Sequence, residues 1–113
     1  MTQKDFLEKL NSRANEIDFN ELLEIVDRHY IFKETAFKNG ELYNEAGQNS
    51  GSCKLFSFAR IHQLNEQQVL SCFGQYYRDV LANPDGDDHQ NIRQFMQSGW
   101  DGIEFNSEAL SIR

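Results

Sequence analysis

Three times in this chain a residue with a short polar side chain stands three positions before a residue that can bond back to it, each time at the head of an apolar run. Thr2 is followed by Asp5, Asp18 by Glu21, and Asn65 by Gln68. Each pair has the spacing of a capping box, in which the two side chains satisfy amides that a helix start leaves without partners. Two of the three are also bracketed by apolar residues at staple spacing, Ile17 with Leu22 and Leu64 with Val69. Helix starts therefore fall at Thr2, Asp18 and Asn65, and the chain is committed to a mainly helical fold.

Stripes behind these caps extend the assignment. Phe6, Leu7 and Leu10 serve the first helix, and Phe19, Leu22, Leu23, Val26 and Tyr30 the second. A helix near Ser52 carries Leu55, Phe58, Ala59 and His62 on one face. Phe56 and Ile61 widen its apolar cover, as expected of a buried central helix. From Asn65 the stripe Val69, Phe73, Tyr76 and Val80 predicts one continuous helix to about Leu81, closed by the turn Asn83-Pro84-Asp85-Gly86. Asp87 with Gln90 predicts a fifth helix bearing Ile92, Phe95 and Met96, with Gly99 as its terminal glycine.

Between Tyr30 and Tyr43 the composition turns aromatic and β-branched around Asn39-Gly40. That dipeptide predicts a hairpin with a type I′ turn, because both central residues then need positive φ. Gly102 to Phe105 alternates like a short strand that could join it. The expected fold class is α+β, predominantly helical with about five helices and a small antiparallel β element. An all-α bundle is the alternative.

The chain has 113 residues, 39% of them apolar and nine of them Phe, enough to fill one core without disulfide or metal, so a single domain over residues 1–113 is expected. The net charge of −7 disfavours sequence-independent binding to nucleic acid or to an anionic membrane surface. No apolar run is long enough to span a bilayer and no secretory signal opens the chain, so a soluble cytoplasmic protein is expected. Cys53 and Cys72 then remain reduced, as small core residues. The cysteines and the histidines His29, His62 and His89 lack the close spacing of a metal site. Asp85 to His89 lacks the pattern of a calcium loop and is read as helix capping, so neither metal nor cofactor is expected.

Two groups of residues are candidates for binding. The loop Asn44 to Lys54 places Gly47, Asn49, Ser50, Gly51 and Ser52 before a helix, with Lys54 in its first turn. Open amides and an ammonium there could hold a small anion, although the P-loop spacing is absent. Tyr77 and Arg78 could line a recess, and Trp100 could cover the edge of the core or meet a protein partner.

The segments NEAGQNSGSCKLFSFA, LSCFGQYYRDVL and NPDGDDHQNIRQFMQSGWDGIEF resemble the HopJ family, small bacterial proteins named as type III secretion effectors. The likeness runs from about Tyr30 to Phe105. It implies a protein of the bacterial cytoplasm that is passed through a type III system into a host cell, acting on a host or bacterial protein as a binding module. It brings no reaction and no catalytic residues.

Overall fold

The computed structural model describes residues 2–113, which form a predominantly helical α+β fold. All three capping boxes are formed. Thr2 opens α1 (Gln3–Ser12), Asp18 opens α2 (Phe19–His29) and Asn65 opens α4 (Glu66–Cys72), with both reciprocal bonds present at each. The staples hold too: Ile17, Leu22 and Val69 are fully buried and Leu64 nearly so.

Among the described residues six α-helices replace the expected five, because the stripe from Val69 to Val80 is broken at Gly74. There the chain takes φ +58° and ψ −124°, ending α4 and starting α5 (Gln75–Ala82) on a new course. The break makes room for the start of α2. A Cβ on Gly74 would stand 2.6 Å from the Phe19 nitrogen and 2.7 Å from the Ile17 oxygen. The side chain of Gln75 then accepts the Phe19 amide at 2.8 Å. Apolar periodicity cannot reveal such a break, since both halves keep an apolar face toward the same core.

The hairpin forms between β2 (Phe37–Asn39) and β3 (Leu42–Asn44), but with a different turn. Asn39 pairs with Leu42, so the central residues are Gly40 and Glu41, and of these only Gly40 has positive φ. That is the type II′ pattern, with glycine first. Asn39 is thereby freed from the turn and its side chain enters the interior. The strand expected at Ile103 forms as β4 (Ile103–Phe105) and pairs antiparallel with β2. β1 (Tyr30–Phe32) belongs to a second, separate ribbon with β5 (Leu110–Ile112), which the sequence reading did not place.

The helix near Ser52, α3 (Ser50–Ile61), is the buried centre: Leu55, Phe56, Phe58 and Ala59 are inaccessible to solvent. Phe56 lies at the hub, its ring 5.2 to 6.0 Å from those of Phe37 on β2, Phe73 after α4 and Phe95 on α6 (Gln90–Ser98). Three apolar assignments fail, Tyr76 among them, which is exposed beside a cleft. Ile61 and Met96 are about half exposed, each lying at the margin of its helix's buried stripe.

His62 is a half-buried, hydrogen-bonded histidine at the core edge. Its Nε2 lies 3.0 Å from the Tyr30 hydroxyl, which donates to Gln3 Oε1, and its ring packs on Phe58. Partial burial holds its pKa below the ordinary histidine value, favouring the neutral ring.

Both cysteines are buried free thiols. Burial pushes the Cys72 thiol up to about 12 and raises Cys53 as well, although hydrogen bonding around Cys53 works the other way. At pH 8 a thiol of that pKa is ionised to only about one part in ten thousand, and the thiolate is the reactive form. Native protein should therefore label slowly with a thiol reagent at both positions, and denatured protein quickly. Fast native labelling of either cysteine would contradict the burial seen here.

Candidate functional site

The glycine-rich loop sits differently from its expected place. Asn44 belongs to β3, and α3 begins at Ser50, so Ser50, Gly51 and Ser52 form its first turn. The residue before them, Asn49, is in the left-handed region at φ 51° and does not cap the helix. Its side chain instead donates to Asn44 Oδ1 at 2.7 Å. Across from it, α6 starts in the same way. The expected capping box at Asp87 does not form; His89 occupies the cap position at φ 51°, and its side chain leaves the helix amides open. The Gln90 side chain bonds the Asp87 carbonyl rather than closing the box.

These two uncapped starts face one cleft of about 510 Å³. Asn49, Gly51 and Ser52 line one side and His89, Gln90 and Asn91 the other, with Phe19, Phe73 and Tyr76 forming an aromatic wall. Among the described residues, no acceptor holds the amides of Gly51, Ser52, Gln90 or Asn91. Each helix start carries roughly half a positive charge on such amides, so the two together favour an anion between them.

Asparagines hold the two sides in place. Asn91 donates to Asn44 Oδ1 at 3.1 Å, and its own side-chain oxygen accepts from Asn39 at 3.1 Å and from Asn44 at 3.3 Å. Asn39 also donates to the Asn91 carbonyl at 2.9 Å. Asn44 therefore bonds both to the residue that precedes α3 and to the second residue of α6. Buried polar networks of this kind fix relative position because leaving any member unpaired costs about 1–3 kcal/mol. Gly51 is a matter of space: a Cβ there would come within 3.0 Å of the Phe19 ring.

Of the residues singled out in the sequence, Asn49, Gly51 and Ser52 come together at the cleft. Gly47 and Ser50 lie beside it, the Ser50 hydroxyl donating to the Gly47 carbonyl at 3.4 Å. Lys54 does not join them. Its ammonium donates to Asp27 Oδ1 at 2.8 Å and lies 5.0 Å above the Phe32 ring, so it ties α3 to the end of α2. The sequence reading missed His89, Asn91 and Tyr76 as cleft residues. Nothing in the sequence marks the left-handed, uncapped backbone at His89, and the Asp87-x-x-Gln90 spacing points to a different cap.

His89 lines the cleft and lies close to two carboxylates. Its Nε2 lies 3.6 Å from Asp79 and 3.7 Å from Asp88, and its ring is 5.4 Å from that of Tyr76. Asp88 is in turn bonded to Arg93 at 2.7 Å, which holds its carboxyl below the usual range.

The second group is split between two places. Tyr77 and Arg78 line a separate recess of about 290 Å³, where the Arg78 guanidinium donates to the carbonyls of Asn15 and Ile17, each at 3.1 Å. Trp100 lies elsewhere: its indole donates to the Leu64 carbonyl at 2.9 Å, its amide to Glu66 at 3.0 Å, and its ring meets Phe95 edge-on.

Fold and cleft together define a small, mainly helical α+β protein whose cleft is walled by aromatic rings and by main-chain amides from two helix starts. The chain belongs to the HopJ family: the family described as HopJ type III effector protein matches residues 3–110. Among solved structures it is similar to one titled "Crystal structure of unknown function protein VPA0580", at 42% identity and a TM-score of 0.97, covering 100% of this chain and 95% of that one. The comparison with curated proteins gives no match. No helix among the described residues is long and apolar enough to cross a membrane.

Proposed function

We propose that this type III effector-like chain binds a small anionic ligand in the cleft between α3 and α6. The convergence of two uncapped helix starts on one cavity carries the reading. Neutral amides supply the attraction, while the rings of Phe19, Phe73 and Tyr76 offer an apolar surface to the rest of the ligand.

Inorganic phosphate as a probe tests this by thermal melting. A ligand present at ten times its Kd stabilises by about 1.4 kcal/mol, a rise of several degrees. Ser52→Asp places a carboxylate in the first turn of α3, where the dipole favours it by about 0.3–1 kcal/mol, so unliganded protein should melt slightly higher. The phosphate gain should disappear, because the carboxylate occupies the amides. Lys54→Ala should cost about 0.5–1 kcal/mol through the half-exposed Asp27 pair and the contact with Phe32, yet keep the phosphate gain. Equal phosphate responses in wild type and Ser52→Asp, or none in either, defeat the cleft reading.

The recess lined by Tyr77, Arg78 and the half-exposed Leu81 favours a second reading, a non-enzymatic module that meets a host or bacterial protein there. On that reading phosphate has no effect, and Leu81→Asp abolishes partner binding without changing the fold.

A further inference from the structure

At each of the two open helix starts an aromatic ring stands against the start itself. On the α3 side, a Cβ on Gly51 would come within 3.0 Å of the Phe19 ring, so that ring adjoins the first turn. On the α6 side, the Tyr76 ring lies 5.4 Å from that of His89, the residue in the cap position. The two rings also meet each other. Tyr76 stands at 69° to Phe19 with centroids 5.4 Å apart, while Phe73 runs within 3° of parallel to Phe19 at 5.9 Å. Phe19 and Tyr76 thus form a corner, and Tyr76 is 37% exposed there.

A corner of this kind suits a flat ring. Aromatic pairs favour offset-stacked or edge-to-face contact, and a ring set between Phe19 and Tyr76 makes one contact of each type. An aliphatic chain finds little there, since Ile92 is the one aliphatic side chain among the described residues lining the cleft and is only 3% exposed. A bare inorganic anion leaves the rings uncovered, whereas about 510 Å³ lies in the range of sites that enclose organic ligands. None of the described lining residues is Lys, Arg, Asp or Glu. The open amides therefore attract the anion without a fixed counter-charge, and ring contacts supply much of the remaining affinity. We propose that the ligand is an aromatic anion, a flat ring carrying a phosphate or carboxylate group directly, an assignment that rests on the anion-binding reading of this cleft. Direct attachment follows from the approach of Phe19 to Gly51: ring wall and open amides are neighbours, so the two parts of the ligand are neighbours too.

Calorimetric titration of the whole chain with two matched pairs tests this: phenyl phosphate against cyclohexyl phosphate, and benzoate against cyclohexanecarboxylate. The members of a pair share the anion and the carbon ring and differ in flatness and π character. At least one aromatic anion should bind about fivefold or more tighter than its saturated partner, the size of one good ring contact. Which pair shows the preference identifies the anionic group. Phenol, which has the ring without the charge, should bind more weakly than the preferred aromatic anion. Tyr76→Leu keeps apolar bulk and removes one ring, and should bring the preferred pair within about twofold. Should Tyr76→Leu fail to fold, the wild-type ratios and the phenol comparison decide alone. Equal affinities within both pairs, or no binding of any ring anion where inorganic phosphate still stabilises, overturn the aromatic assignment and leave the anion reading standing. A preference that survives in folded Tyr76→Leu also overturns it, because the ring would then lie elsewhere. Phenol binding as tightly as phenyl phosphate overturns it together with the anion reading, and so does a lack of binding by phosphate and by all the ring anions.

Discussion

Gly74→Ala is expected to destabilise the protein by about 3–5 kcal/mol, enough to lower melting by roughly 12–20 °C in a chain of this size. Two costs combine. A residue with a side chain held at φ +58° and ψ −124° carries about 1–3 kcal/mol of backbone strain. The added methyl must also stand 2.6 Å from the Phe19 nitrogen and 3.0 Å from the Asp18 carbonyl carbon, both main-chain atoms that cannot rotate away. Relief requires the start of α2 to move off α5, breaking the Phe19 amide bond to Gln75 and loosening the stack of Phe19 on Phe73. Chemical denaturation of both proteins measures the effect. A loss under about 1 kcal/mol would show that α2 and α5 are not locked together at this point. Because Phe19 and Phe73 also wall the cleft, Gly74→Ala should weaken any phosphate stabilisation in the fraction that stays folded.

Phe56→Ala should cost a similar 3–5 kcal/mol for a different reason. The ring is fully buried, and its neighbours Phe37, Phe73 and Phe95 come from the β2 strand, the end of α4 and α6. Truncation leaves a cavity bounded by three separate elements. None can collapse into it alone, since each is held by its own pairing, so most of the cavity penalty persists. Phe56→Leu should recover about half of the loss by refilling volume without the ring contacts. A small effect of Phe56→Ala, measured by the same denaturation, would mean that the core repacks around α3. Far-UV circular dichroism should show both variants still helical at low temperature, since the three capping boxes lie outside the affected contacts.

What was legible in the sequence was local. A capping box is decided by four consecutive residues, and those at Thr2, Asp18 and Asn65 all form, the last two with buried staple residues, which placed α1, α2 and α4 at their first residues. The hairpin at Asn39-Gly40, the strand at Ile103 and the glycine that ends α6 were readable for the same reason. Each depends on neighbours in the chain or on one strong residue preference. The family resemblance was carried by long segments in order, and the family match spans nearly the whole chain.

Tertiary structure decided everything that depends on what another element occupies. Gly74 breaks a helix because the start of α2 needs that space, and Asp87 yields the cap position to His89 although its own spacing to Gln90 was correct. Asn39 leaves the turn to bond Asn91, some fifty residues away in sequence. Lys54 finds Asp27 instead of an anion, because the ion pair lies on the side of α3 that faces α2 and β1. The cleft belongs wholly to this second category. It exists where two distant helix starts converge, and no property of either start by itself specifies which other helix it will face.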